Sequence, residues 1–181
     1  MRSYSSLLVL LFVGMSLLSC KHSATDRIDE ELTAFMGKKI EFPSDSMLYM
    51  GDTVGTFHRE KYMYVVYTDS SSCSDCAINH FSDWADIELQ EYCEKGLLSY
   101  VFIVNPSRVM KDRIVKKISE DSLFRSSVFV DTTGCFERSN PALPRHNMMH
   151  TFLVNDSSEV VLVGNPITNK KIKGLLKEII L

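Results

Sequence analysis

Two cysteines three residues apart, Cys73 and Cys76, stand in the stretch YTDSSSCSDCAIN, residues 67–79. An apolar run precedes them and a helical pattern follows. Such a pair can exchange disulfides, hold a metal ion or form a plain short-range disulfide. Exchange needs one exposed, partly ionised thiol and a second thiol near enough to resolve the mixed disulfide. A C-x-x-C pair opening a helix supplies both, because an i, i+3 step brings the sulfurs within bonding reach. On this reading Cys73 is the nucleophile, at a helix start where N–H groups and the dipole favour a thiolate, and Cys76 faces inward as the resolving thiol. Asp75 between them and Asp69 upstream oppose the thiolate, and no Lys or Arg is adjacent. The expectation is a Cys73 thiol only modestly below its free value of about 8.5, with the low potential of a reductant or slow exchanger.

The compartment decides whether such chemistry persists. The first twenty residues, MRSYSSLLVLLFVGMSLLSC, carry Arg2, then an apolar run over residues 7–18, then Leu17-Leu18-Ser19-Cys20. Twelve helical residues span about 18 Å, short of the roughly 30 Å of a hydrocarbon core, so the run fits a signal-peptide core better than a membrane span. Its end resembles a bacterial lipobox. The expectation is a signal peptide over 1–19, lipidation of Cys20, a tether over 20–37 and one domain over 38–181. The chain would then be lipid-anchored to a membrane of the bacterial envelope, facing the periplasm. An oxidising compartment lets disulfides persist. Cys73, Cys76, Cys93 and Cys135 remain once Cys20 is set aside.

The domain has 181 residues to draw on, less the leader, and 45% of the chain is hydrophobic, enough for one ordinary core. Net charge is −3, and loss of Arg2 with the leader makes it −4. A mildly acidic chain with interspersed charges has no electrostatic reason to bind nucleic acid. No cofactor is implied.

The elements follow from periodicity. Residues 38–42 and 46–50 read as an N-terminal hairpin around Pro43-Ser44-Asp45. Residues 61–67 (KYMYVVY) and 99–104 (SYVFIV) read as buried strands. Between them, Ala77, Phe81, Trp84, Ala85, Leu89, Tyr92 and Cys93 recur at helical steps, predicting one long helix over 74–94, closed by Gly96. A helix over 109–123, a strand over 127–130 and a loop over 135–146 follow. Residues 149–154 and 159–163 form a hairpin, and residues 169–181 a terminal helix. The resulting fold class is α/β, a central mixed sheet flanked by helices, with the N-terminal hairpin and an inserted helix–strand.

This layout, with C-x-x-C at the strand-to-helix junction, resembles the thioredoxin superfamily, and the insertion and N-terminal extension resemble its TlpA-like and peroxiredoxin-like branch. The stretch HTFLVNDSSEVVLVGNPI is similar to that branch's hairpin. The resemblance spans roughly residues 38–181. It implies a membrane-anchored thiol–disulfide oxidoreductase acting through Cys73 and Cys76 on protein disulfides or dithiols, resupplied by an electron donor. The family places a cis-proline facing the cysteines. Aligned on Thr151-Phe152-Leu153, Met149 stands there, and Pro144 lies five residues earlier. The bond before Met149 is expected to be trans, since a non-proline cis bond costs several kcal/mol. Without that proline, a binding lipoprotein that no longer turns over is the alternative. Cys73, Cys76 and His150 resemble, loosely, the two-Cys-one-His copper set of Sco-like members. His80, four residues after Cys76, reads as a surface or packing residue, Cys93 and Trp84 as core, and Cys135 as a loop thiol that can also serve as a third exchange partner. The peroxidase branch wants Thr-x-x-Cys; position 70 is Ser, which argues against that chemistry.

Overall fold

Two runs with apolar side chains on both faces of the backbone form the middle of the fold. The computed structural model describes residues 24–50, 60–120 and 127–181. The chain divides into two units, Met1–Glu30 and Glu31–Leu181. In chain order the elements are α1 (Ala24–Phe35), β1 (Leu48–Tyr49), β2 (Tyr62–Thr68), α2 (Ser74–Asn79), α3 (Ile87–Glu94), β3 (Leu98–Val104), α4 (Lys111–Glu120), β4 (Ser127–Val130), α5 (Cys135–Ser139), β5 (Thr151–Val154), β6 (Val160–Val163) and α6 (Lys170–Ile180). The six strands form one sheet in the order β1-β4-β3-β2-β5-β6. β2, β3 and β4 run parallel, and β1, β5 and β6 add antiparallel pairs. This is the mixed α/β, thioredoxin-like architecture, with the inserted α4–β4 in place.

The sheet is covered on both sides because its strands alternate. Met63, Val65 and Tyr67 of β2 join Val101, Ile103, Phe129, Phe152 and Phe136 on one face. Tyr64, Tyr100, Phe102, Val104 and Leu153 meet Ile78, Phe81, Trp84, Leu89, Ile114 and Leu176 on the other. A strand buried on both faces must be apolar at nearly every position, which is what residues 61–67 and 99–104 show.

Three expectations change. The single helix over 74–94 is broken into α2, a 3-10 turn at Phe81–Trp84, and α3. Asp86 causes the restart: its carboxylate accepts from the N–H groups of Glu88 and Leu89, an N-cap that non-helical backbone at Asp86 permits. Lys173 of α6 then pairs with Asp86 at 2.8 Å, tying α3 to the terminal helix. The N-terminal hairpin is absent. A 3-10 turn at Ser44–Ser46 separates its arms, and they pair with opposite edges of the sheet. Lys39 bridges Glu159 beside β6, whereas Leu48 and Tyr49 pair with Val130 and Phe129 of β4. Between these points the segment crosses one sheet face, burying Ile40 and Met47. Asn140 holds the crossing: its Oδ1 accepts from Glu41 N at 2.9 Å and its amide donates to the carbonyls of Glu41 and Phe136. Lastly, part of the expected tether is helical, since α1 begins at Ala24. Its Phe35 packs edge-on against Phe152, with ring centroids 5.0 Å apart. The leader and Cys20 lie outside the described residues. Among the described residues no helix is long and apolar enough to cross a membrane.

Candidate active site

The C-terminal end of β2 delivers the chain to a tight turn. Asp69 shapes it: its Oδ1 accepts from Ser71 N, Ser71 Oγ and Ser72 N, at 2.7 to 2.8 Å. Burial alone would raise the Asp69 carboxyl, but these donors outweigh it and hold the group below its ordinary range. The turn ends at Cys73, the N-cap of α2, whose Sγ accepts from Cys76 N at 3.2 Å. Cys73 and Cys76 are joined in a disulfide, with Cα atoms 5.2 Å apart. The pair thus sits at the strand-to-helix junction that the sequence pattern marks.

Two details differ from expectation. Both cysteines are exposed, so Cys76 does not face inward. The buried residues of α2 are Ser74 and Ile78. They share one face at an i, i+4 step, and Cys76, two residues from each, lies about 200° around the helix. Second, the charge around Asp75 is not what the local sequence suggests. Arg113 lies 3.0 Å and Lys117 3.4 Å from its carboxylate, both from α4, and Lys117 also donates to the Asp75 carbonyl. Two bases offset the two acids, Asp75 and Asp69, so the charge around the α2 start is near balance instead of acidic. Sequence adjacency could not show this, because the partners are 38 and 42 positions away.

A second wall comes from the segment before β5. Asn147 Nδ2 donates to Ser72 Oγ at 2.9 Å, joining it to the cysteine turn. Met149 is buried in a 3-10 turn, Asn147–Met149, and its preceding bond is trans, as is every bond among the described residues. His150 is buried, with Nε2 2.8 Å from the Pro144 carbonyl and its ring 5.1 Å from that of Tyr67. A carbonyl only accepts, so Nε2 carries a proton. Cys73 and Cys76 are bonded to each other, and the other nitrogen of His150, Nδ1, lies 3.4 Å from Asp69 Oδ2. Among the described residues no group of three His, Cys, Asp or Glu side chains is gathered for a metal ion.

A third wall follows β4. Asp131 is fully buried, and its carboxylate collects donors from Thr133 N, Thr133 Oγ1, Cys135 N, Cys135 Sγ and Phe136 N. Burial pushes its carboxyl up, but these donors prevail and hold it low. It thereby shapes the Thr132–Gly134 loop. That loop, with Asn105, Ser107, Arg108 and Arg138, lines a cavity of about 620 Å³ that reaches Ser70. The sequence shows Asp131 only as a turn residue; its burial is visible only in three dimensions.

The other thiols stand apart. Cys135 is not in a loop but buried in the first turn of α5, hydrogen-bonded to Asp131 and raised by burial. Cys93 is half-buried against the core, and burial with Glu60 and Glu94 nearby pushes it up to about 11. Both are unbonded and poorly suited to ionise. His80 is exposed and pairs with Asp83 at 2.8 Å. Trp84 is core, as expected.

No family model matches the sequence, and no curated protein does. Solved structures share the fold. A thioredoxin-like protein from Bacteroides caccae superposes with a TM-score of 0.50 at 11% identity, over 88% of this chain and 57% of that one. The C-terminal domain of an uncharacterised protein from Bacteroides fragilis gives 0.50 at 13% identity, over 78% of this chain and 96% of that one. An uncharacterised thioredoxin-like protein from Porphyromonas gingivalis gives 0.49 at 16% identity, over 78% and 90%. At these identities the two superpositions at 0.50 establish the fold alone.

Proposed function

We propose that this thioredoxin-fold chain is a thiol–disulfide oxidoreductase acting through Cys73 and Cys76. The observation that carries the reading is the exposed Cys73–Cys76 disulfide at the mouth of the fold, where β2 meets α2 and Cys76 N–H points at Cys73 Sγ. In the reduced protein the Cys73 thiolate attacks one sulfur of a substrate disulfide. The substrate S–S bond breaks, a Cys73–substrate bond forms, and the first substrate thiolate leaves. The Cys76 thiolate then attacks Cys73 Sγ, releasing the second substrate thiolate and leaving the Cys73–Cys76 disulfide. Two electrons pass to the substrate, and a dithiol donor must return two to the protein. Arg113 and Lys117 support the thiolate by offsetting Asp75. We assign Cys73 the attacking role because it is the N-cap that the amide of Cys76 serves. We further propose that lipid at Cys20 anchors the domain to an envelope membrane, with exported proteins as substrates.

One observation favours a second reading. Met149, buried in a trans turn, occupies the place where the family docks substrate backbone on a proline. A binding lipoprotein with an idle disulfide would tolerate that replacement.

A redox titration separates the two. Thiols of protein beginning at Lys21 are counted by alkylation and mass spectrometry, with Cys73→Ser and Cys76→Ser as controls. Exchange requires Cys73 and Cys76 to cycle together between about −200 and −300 mV, after which Cys76→Ser should trap substrates on Cys73. A pair that stays locked until the protein unfolds would leave only the binding reading.

A further inference from the structure

Beside the cysteine turn lies a second, smaller cavity of about 230 Å³, lined among others by Asp69, Ser71, Glu137, Pro144, Asn147 and His150. Its acceptors are unevenly served. Asp69 Oδ1 takes all three donors of the turn, and among the described residues none donates to Oδ2. His150 Nε2 gives its proton to Pro144, so in the neutral ring Nδ1 is an acceptor. That nitrogen is buried and has no hydrogen-bond partner. It lies 3.4 Å from Asp69 Oδ2, so a lone pair faces a carboxylate. Two acceptors held this close repel unless a proton on Nδ1 or a separate positive charge stands between them.

Glu137 adds a second carboxylate to the same cavity, and the exposed Arg145 is the cation lining it. Tyr67, the other titratable group against His150, donates its hydroxyl towards Glu137 at 3.4 Å and is kept neutral by burial. With a neutral imidazole the wall therefore carries two negative charges against one positive. The adjoining 620 Å³ cavity, which shares Ser70 and Glu137, instead carries Arg108 and Arg138.

We propose that this cavity receives a cationic side chain, lysine or arginine, from the peptide whose disulfide meets Cys73; this rests on the exchange reading above. The ammonium or guanidinium sits against Asp69 Oδ2, where it supplies the missing donor and offsets the opposed acceptors at Asp69 and His150. Asn147 places the site next to the reactive pair, since its bond to Ser72 Oγ touches the residue preceding Cys73. The cavity acts as a specificity site: it selects which disulfides are presented, and takes no part in bond exchange.

The test uses synthetic peptides closed by one disulfide, identical except for Lys, norleucine or Glu placed in turn at each position flanking the cysteines. Stopped-flow rates are measured with the reduced full chain. At one or more positions the Lys peptide should react about 10-fold faster than the norleucine peptide and the Glu peptide slower still. The Lys-to-norleucine ratio should fall to about 2 or less in Asp69→Asn, which keeps the Oδ1 acceptor of the turn, and to an intermediate value in Glu137→Gln. Equal Lys and norleucine rates at every position, or a Lys advantage that Asp69→Asn leaves intact, overturn the proposal. An internal ion pair between protonated His150 and Asp69 predicts the first of these results. A separate titration of the oxidised protein with Cys→Ser forms of the peptides reads backbone amide shifts at Ser71 and Asn147. Lys-specific shifts without any disulfide reaction would keep the cation site and remove the exchange reading. Fast reaction without Lys preference would do the opposite.

Discussion

Replacing Asp131 by Asn tests whether the buried carboxylate holds the loop beside the candidate site. In the native protein Oδ1 accepts from Cys135 N, Thr133 N, Thr133 Oγ1 and Cys135 Sγ at 3.0 to 3.3 Å, and Oδ2 accepts from Phe136 N at 2.9 Å. An Asn has one oxygen. If it serves the Oδ1 set, its NH2 confronts the Phe136 N–H, so that N–H loses its acceptor and the NH2 is a second buried donor without one. Each such group costs about 1–3 kcal/mol, and the charge assistance to the other bonds is lost as well, so Asp131→Asn should destabilise by about 3–5 kcal/mol. Urea unfolding followed by fluorescence and circular dichroism measures this, with an unchanged m-value expected. The pH dependence gives an independent reading. The Asp131 carboxyl is held below its ordinary range in the folded state. Its contribution is therefore fully present above the unfolded value of about 3.9 and is lost as pH falls through the folded value. The stability gap between native protein and variant should narrow below about pH 4. A loss under about 1 kcal/mol at neutral pH, or a gap that is the same at pH 3 and pH 7, would refute the reasoning.

Three further outcomes are expected. Lys117→Met removes one of the two cations on Asp75 and should lower the potential of the Cys73–Cys76 couple. A half-buried ion pair at the surface contributes about 1 kcal/mol, so the shift measured against a glutathione buffer should be about 20 mV, and a rise would contradict the assigned role of Lys117. Asn140→Ala removes three hydrogen bonds, two of them to the crossing segment, and should destabilise by about 2–4 kcal/mol in the same urea assay, whereas a loss below about 0.5 kcal/mol, roughly that of a surface change, would show that the clamp is incidental. Gly164 has φ +124°, and a Cβ there would lie 3.0 Å from two atoms of Ile172. Gly164→Ala should therefore lower thermal stability, by about 1–3 kcal/mol of backbone strain, and an unchanged melting temperature would mean that the turn relaxes freely.

The strands that hold the site were legible because burial on both faces writes itself locally, in residues 61–67 and 99–104. The terminal helix was equally plain: Asn169 caps it and accepts from Lys171 and Ile172. What failed to show was anything decided by distant partners. The apolar stripe from Ala77 to Cys93 runs on through a break that Asp86 imposes, and nothing near Asp86 announces Lys173. The arms at residues 38–42 and 46–50 look like mutual partners, yet one bridges to Glu159 beside β6 and the other pairs with β4, each eighty or more residues on. The same holds at the site. The C-x-x-C pair is visible as a motif, while Arg113, Lys117, Asn147 and the donors to Asp131 arrive through tertiary packing. His150 was visible as a residue, but its commitment to Pro144 and its stand-off with Asp69 depend on how the loop before β5 folds.

The crossing N-terminal segment has a consequence for solubility. A sheet ends in two rows of unpaired amides and carbonyls, and each row is a template for another chain. Here both are blunted by a single stretch of polypeptide. Residues 37–40 exchange backbone bonds with Ser158 and Val160 at one margin, and Leu48, Tyr49 and Met50 cover β4 at the other. Proteolytic loss of that stretch would bare both margins in one event. Each molecule would then offer the longer borders of β4 and β6 in place of a two-residue edge strand and a short bridge, so it could add neighbours on either side and grow into a chain of molecules where a single bare border would stop at a pair.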